Sequence, residues 1–179
     1  MRGFFVNKKT GFKNLTPDRP VIIRDFRGKL FYSTEGLKQV KKFNLPEGQY
    51  LLEKGNIKPL RFPVKFKLTK LPKPERRFPF PNNFVIFFDN NPNKCTIKWQ
   101  KKQIVYDDAL RQATLPVLIF MLYHEHGHSL YHTEKYADAY SRNMMIKRGY
   151  NPSQIGKAPL FSLSSAQYQR KKLIVNSLI

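Results

Sequence analysis

Cysteine is almost missing from this sequence. Cys95 stands alone among 179 residues. One thiol cannot close an internal disulfide or build a cysteine-rich zinc ribbon, so the fold does not depend on an oxidising compartment. Long apolar runs are missing too. The longest, Leu115 to Tyr123, has nine residues with Pro116 inside it, whereas a membrane-spanning helix needs about 20. Near Met1 the only apolar stretch is Phe4-Phe5-Val6, too short for the core of a signal peptide. The expectation is a cytoplasmic protein, or a virion-associated one if phage-encoded, with no signal peptide and no membrane span.

Acidic residues are scarce: 12 Asp/Glu face 33 Lys/Arg, a formal charge of +21. The imbalance is uneven. Residues 1–83 carry +14 and residues 139–179 carry +7, while residues 84–138 balance six acids with six bases. Basic flanks around a neutral middle favour an anionic partner such as nucleic acid or virion proteins. No RNP or zinc-finger signature accompanies the charge. What the chain does have is apolar content, 41% hydrophobic and 14% aromatic, enough for a packed core.

Residues 1–70 read as a basic, β-rich region. Val21-Ile22-Ile23, Leu30-Phe31-Tyr32, Gln49-Tyr50-Leu51-Leu52 and the alternating Val64 to Leu68 are strand candidates, and residues 34–43 are a short helix candidate. Residues 71–83 hold Pro72, Pro74, Pro79 and Pro81, which exclude helix and central strand. They predict an extended connector and a domain boundary. Residues 84–157 then read as a second domain. Phe84 to Phe88 has a buried-strand pattern, Asp89 to Asn93 a turn, and Cys95 to Trp99 and Gln103 to Tyr106 two more strands. The order predicts a β-meander followed by helices. One helix starts near Thr114-Leu115-Pro116, and a second runs from about Thr133 to Arg148, where Gly149 and Pro152 stop it. Residues 158–179 form a basic C-terminal segment containing Arg170-Lys171-Lys172.

The first of these helices ends in His124-Glu125-His126-Gly127-His128. Residues four apart share a helix face, so His124 and His128 can reach one ion. Glu125 sits beside them without facing the ion, placed to accept a proton from an activated water. His126 is two residues from each and faces elsewhere. A tetrahedral site needs a third protein ligand, for which His132, Glu134 and Asp138 are candidates. His132 lies too far along a continued helix, about 12 Å from His124. Glu134 and Asp138 share a face of the next helix. A Glu ligand there, with an Asp one turn on to orient a histidine's second nitrogen, would serve both needs. For oxygen stabilisation beyond the metal, Tyr131, His126 and Tyr150 are the available polar groups.

These residues, with Glu134-Lys135-Tyr136-Ala137-Asp138, resemble the zincin metallopeptidases that use a glutamate as third ligand: His-Glu-x-x-His, then Glu-x-x-Ala-Asp on the following helix. The same pairing occurs in relatives of the CaaX-prenyl endopeptidases and, more loosely, in small phage and bacterial metallopeptidases. The resemblance covers residues 84–150; residues 1–70 match no named pattern. It implies an α+β fold with a zincin-like core of β-meander, active-site helix and second helix. It also implies one Zn2+ on His124, His128 and Glu134, with Glu125 as general base and Asp138 supporting a histidine. The gap from His128 to Glu134 is six residues, as short as in metzincins. Yet Tyr131 stands at the metzincin glycine position and there is no Met-turn, so Asp138 stays open as the alternative third ligand. The implied activity is hydrolysis of peptide bonds in a peptide or protein substrate. The alternative is a non-catalytic structural or assembly protein on the same fold, for example a virion component docking nucleic acid or partner proteins.

Overall fold

A computed structural model of the chain describes residues 1–37, 39–91 and 94–156. The C-terminal segment 158–179 and two residues of the expected 89–93 turn, Pro92 and Asn93, lie outside these. No helix among the described residues is long and apolar enough to cross a membrane. The chain divides into two compact units, and the division does not follow the proline-rich segment. Residues 1–67 and 146–154 form the first; residues 68–145, with 155 and 156, form the second.

The first unit is built from seven short strands. They are β1 (Arg2–Val6), β2 (Thr10–Asn14), β3 (Ile22–Asp25), β4 (Leu30–Ser33), β5 (Lys42–Leu45), β6 (Gly48–Lys54) and β7 (Ile57–Pro59). They make a four-stranded sheet in the order β1-β6-β3-β4 and a three-stranded sheet in the order β5-β2-β7. All pairings in both sheets are antiparallel. The two sheets meet through aromatic rings: Phe4 against Phe12, and Tyr32 against Phe43, with centroids 6.0 and 4.8 Å apart. Val21, Ile23, Phe43 and Leu45 are wholly buried there. Aromatic pairs in such tilted or edge-on contacts add to the burial of their area.

Two expectations fail in this unit. Among the described residues of 34–43 there is no helix; they turn at Glu35–Gly36 and the chain then enters β5. Phe43 and Leu45 alternate around Asn44 into the sheet, and that two-residue period prevails over local helix preference. Val64 to Leu68 is not a strand either. Pro63 precedes it, and Val64 is satisfied by a side chain: its N–H donates to Asn44 Oδ1 at 2.7 Å, while Asn44 Nδ2 donates to its carbonyl at 2.8 Å.

Strand β5 lies at the edge of its sheet, where backbone groups need a partner. Asn151 supplies one. Its Oδ1 accepts from Asn44 N–H and its Nδ2 donates to Asn44 carbonyl, both at 2.7 Å. Gln154 Oε1 in turn accepts from Asn151 N–H at 2.9 Å, and Gln154 Nε2 donates to Phe31 carbonyl at 2.8 Å. Gly149, at φ +105°, allows the chain to turn into this position; a Cβ there would come within 2.8 Å of Lys9 and 3.1 Å of Pro46.

The second unit holds β8 (Val85–Asp89), β9 (Cys95–Lys98) and β10 (Gln103–Asp107), then a 3-10 turn at Asp108–Gln112, helix α1 (Leu115–His128) and, up to Met145, helix α2 (Glu134–Arg148). The sheet order is β8-β10-β9. It is not a meander: β8 runs parallel to β10, and only β9 pairs antiparallel. The connection from β8 to β9 therefore passes β10. Nor is β8 buried; Val85, Ile86 and Phe87 are 59%, 55% and 44% exposed along an edge strand. A continuous apolar run reads alike for a buried strand and for an apolar edge, and only the topology separates them. Helix α1 begins after Thr114 with Pro116 in its first turn, where a missing N–H costs nothing. Tyr106 Oη donates to Leu118 carbonyl at 2.9 Å and ties β10 to α1.

Replacing Asn151 by alanine leaves two buried groups of Asn44 unpaired. The expected loss is about 1–3 kcal/mol, read as a lower midpoint in urea denaturation. An unchanged midpoint would show that water or the chain replaces those bonds.

Candidate metal centre

The geometry of the site begins with a close approach of two helices. A Cβ built on Gly127 would lie 2.7 Å from Ala137 Cα and 3.0 Å from its carbonyl oxygen. Only glycine on α1, opposite the small Ala137 on α2, permits this distance. Ser141, wholly buried on α2, donates its hydroxyl to Phe120 carbonyl on α1 at 2.7 Å and holds the pair one turn further along. His128 follows Gly127 and Asp138 follows Ala137, so this contact brings the polar faces of the two helices together.

Three donor groups converge there: His124, His128 and Glu134. The Nε2 atoms of His124 and His128 are 3.0 Å apart. His124 Nε2 lies 3.4 Å from Glu134 Oε2, and His128 Nε2 lies 3.4 Å from Glu134 Oε1. Ligand atoms about 2.0–2.2 Å from one tetrahedrally bound zinc stand roughly 3.3–3.5 Å from each other. The two histidine–carboxylate separations agree with that spacing, the histidine pair is closer at 3.0 Å, and the three residues together could hold a single small cation. A soft-metal cage is not what they offer, since the donors are two imidazoles and a carboxylate.

The second nitrogen of His124 has a different neighbour. Its Nδ1 lies 2.9 Å from Asp138 Oδ1, and both side chains are largely buried, at 14% and 10% exposure. A carboxylate at that distance favours the tautomer with its proton on Nδ1, which turns the Nε2 lone pair to the cluster. This separates the two candidates for third donor. Glu134 faces both Nε2 atoms, whereas Asp138 stands on the opposite side of the His124 ring. The third residue weighed, His132, is elsewhere: its Nε2 pairs with Glu75 at 2.9 Å and it is 62% exposed.

Glu125 is half-buried and stands outside the donor group. Its charge is felt by Cys95 at the start of β9, whose buried thiol is pushed well above its ordinary pKa, first by burial and then by Glu125. Lone cysteine Cys95 is fully buried and takes no part in the donor group.

His126 points away from the cluster into an aromatic nest. Its Nε2–H donates to Phe78 carbonyl at 3.0 Å, and its Nδ1 accepts from Tyr140 hydroxyl at 2.9 Å. Burial lowers the His126 pKa against the opposing pull of the Phe78 carbonyl, and burial raises that of Tyr140 to about 12. Both stay neutral, as the hydrogen bonds require. Rings of Phe80, Trp99 and Tyr140 surround the imidazole. The proline-rich segment is thus a strap on α1 and not a free connector. Glu75 N–H donates to Leu130 carbonyl, Tyr131 hydroxyl reaches Pro72 carbonyl, and Phe78 packs on Trp99. His126 and Tyr131, weighed as oxygen-stabilising groups, are both spent on holding this strap. Tyr150, the third, lies in the first unit against Phe31.

Sequence reasoning missed Gly127, Ala137 and Ser141 as spacers, and the strap residues Phe78 and Phe80. The signal for the spacers was present, as three small residues at facing positions of two polar-faced helices. Compared with protein-family models, with curated proteins and with solved structures, the chain matches none. The chemistry of the site therefore rests on its own geometry.

Purified protein should bind about one divalent metal ion per chain, and His128→Ala should lose it. Asp138→Asn should weaken metal affinity about 10–100-fold, while Glu134→Gln should weaken it further, both read by competition with a chromophoric chelator. The reverse ranking would make Asp138 the ligand. Gly127→Ala should cost about 1–3 kcal/mol of stability in thermal unfolding, because the helices must part; a neutral effect would mean the approach is looser than 2.7 Å to Ala137 Cα.

Proposed function

We propose that this protein is a zincin-type zinc metallopeptidase, hydrolysing peptide bonds at the His124, His128 and Glu134 centre. The observation that carries the proposal is the arrangement of three protein donors with one more carboxylate, Glu125, beside them and outside the donor group. A structural zinc site closes its coordination with four protein ligands, while a hydrolytic one keeps a position open. Among the described residues the group has three members. Exposure rises across them, from 14% for the His124 side chain through 29% for His128 to 56% for Glu134, so the cluster opens toward solvent.

Zinc bound there would supply Lewis acidity, lowering the pKa of a water toward about 7 and polarising a carbonyl. His124 and His128 offer imidazole nitrogens, the first with the Asp138 carboxylate behind its other nitrogen. Glu125 takes a proton from the attacking water onto its carboxylate as the new C–O bond forms. It then delivers that proton to the amide nitrogen as the C–N bond breaks, so the products are a carboxylic acid and a free amine. Strand β9 is an edge strand of its sheet and packs on α1, the helix that carries Glu125. Its outer edge has no strand partner among the described residues and offers an extended peptide a place to pair.

The rival reading, a zinc site kept for structure in an assembly protein, gives Glu125 no task and leaves the solvent side of the cluster unexplained. Glu125→Gln should keep about one zinc per chain and lower peptidase activity on an unfolded, fluorophore-quenched protein substrate by about 100-fold or more. A variant that keeps its zinc and cleaves at the parental rate would sink the mechanism.

A further inference from the structure

The first unit contains a half-open cavity of about 600 Å³. Its lining comes largely from β1 and β7, one edge strand of each sheet, and from the end of β6. Phe4, Phe12 and Ile57 give it apolar walls, and Phe5, 63% exposed, lines it as well. Arg2 and Lys54 supply positive charge at the same cavity. Its one acid, Glu53, is held by Arg24. Neither Arg2 nor Lys54 has an ion pair among the described residues. The cavity therefore joins flat ring surfaces to uncompensated cations.

The surroundings repeat this chemistry. Residues 1–67 carry 16 Lys/Arg against 5 Asp/Glu. Two further phenylalanines of the unit stand in solvent, Phe26 at 70% and Phe62 at 67% exposure. Each has a guanidinium over its ring, Arg27 at 5.9 Å and Arg61 at 5.3 Å from the centroid. Exposed rings beside cations offer stacking faces to flat heterocycles and charge to phosphates. A duplex keeps its bases stacked on each other and could use only the charge. An acidic peptide could likewise use the charge and leave the rings idle. A single strand, whose bases are free to stack, uses both.

We propose that the cavity lined by β1 and β7 binds single-stranded nucleic acid, with a base against the exposed ring of Phe5 and backbone phosphates on Arg2 and Lys54. The proposal is independent of the peptidase reading, since every residue in it belongs to the first unit.

The test is fluorescence anisotropy of a labelled oligothymidylate of about 15 nucleotides, titrated with the full chain over a range of salt. Binding should weaken linearly in log salt. Phe5→Ala should weaken it roughly tenfold with an unchanged salt slope, and Phe5→Trp should restore it. The double substitution Arg2→Ala with Lys54→Ala should lower the slope by about 1.4, or 0.7 for each lost phosphate contact. Phe5 is exposed, so its variants should unfold at the parental midpoint, which urea denaturation checks. Glu125→Gln and zinc removal should leave binding unchanged, which separates this proposal from the catalytic one. No binding at low salt would overturn it. So would a Phe5→Ala chain that binds like the parent, or equal affinity for blunt duplex DNA. Polyglutamate competing as well as the oligonucleotide, charge for charge, would also overturn it and leave only bulk attraction to anions.

Discussion

The approach of α1 to α2 at Gly127 and Ala137 is the contact on which the site depends. With any larger residue at Gly127 the two backbones would have to separate, because an added Cβ would fall 2.7 Å from Ala137 Cα. Glu134 and Asp138 are one helical turn apart on α2, as His124 and His128 are on α1. Bringing the two faces this close lets Glu134 span both Nε2 atoms while Asp138 reaches the far nitrogen of His124. One backbone contact thus sets the donor group and the carboxylate that stands behind one of its members. The short link between the helices, from Ser129 to Thr133, follows the same logic: a tight turn returns the chain before the faces can diverge.

The opposite side of α1 is fixed by the strap. A histidine buried to 3% exposure among aromatic rings would be costly with open nitrogens. His126 has both nitrogens occupied, by Phe78 carbonyl and Tyr140 hydroxyl. Prolines keep the strap extended and remove donors that the apolar nest could not satisfy. The remaining carbonyls at Pro72 and Phe78 take side-chain donors. Alternate histidines along one helix thereby do different work, His124 and His128 at the cluster and His126 under the strap.

The helical part of this picture was readable from spacing. The four-residue interval between His124 and His128 assigns them to one face, and the two-residue offset of His126 sends it elsewhere. Structural positions agree with both. The choice between Glu134 and Asp138 was not readable, because both occupy one face of α2 and only the distance between helices decides which carboxylate meets which nitrogen. Strand order was also hidden. The run Val85 to Phe88 carries no mark of its parallel pairing to β10 or of its edge position. In the first unit, β1, β2, β5 and β7 escaped notice because lysines, glycines and a proline interrupt their apolar pattern. Residues 34–43 misled because local preference competes poorly with the burial of Phe43 and Leu45. The strap read as a linker because its composition signals an extended chain and says nothing of what that chain lies against.

Three protein donors on one zinc, with a position left open, is the claim from which the hydrolytic chemistry follows. X-ray absorption at the zinc edge of the purified protein tests it directly. The predicted spectrum shows about four nitrogen or oxygen scatterers near 2.0–2.1 Å, two of them imidazoles, with no sulfur. It should also change when a small anion such as azide is added, because an open position exchanges its occupant. A sulfur scatterer near 2.3 Å, or a spectrum with a fourth protein ligand that no added anion perturbs, would contradict it.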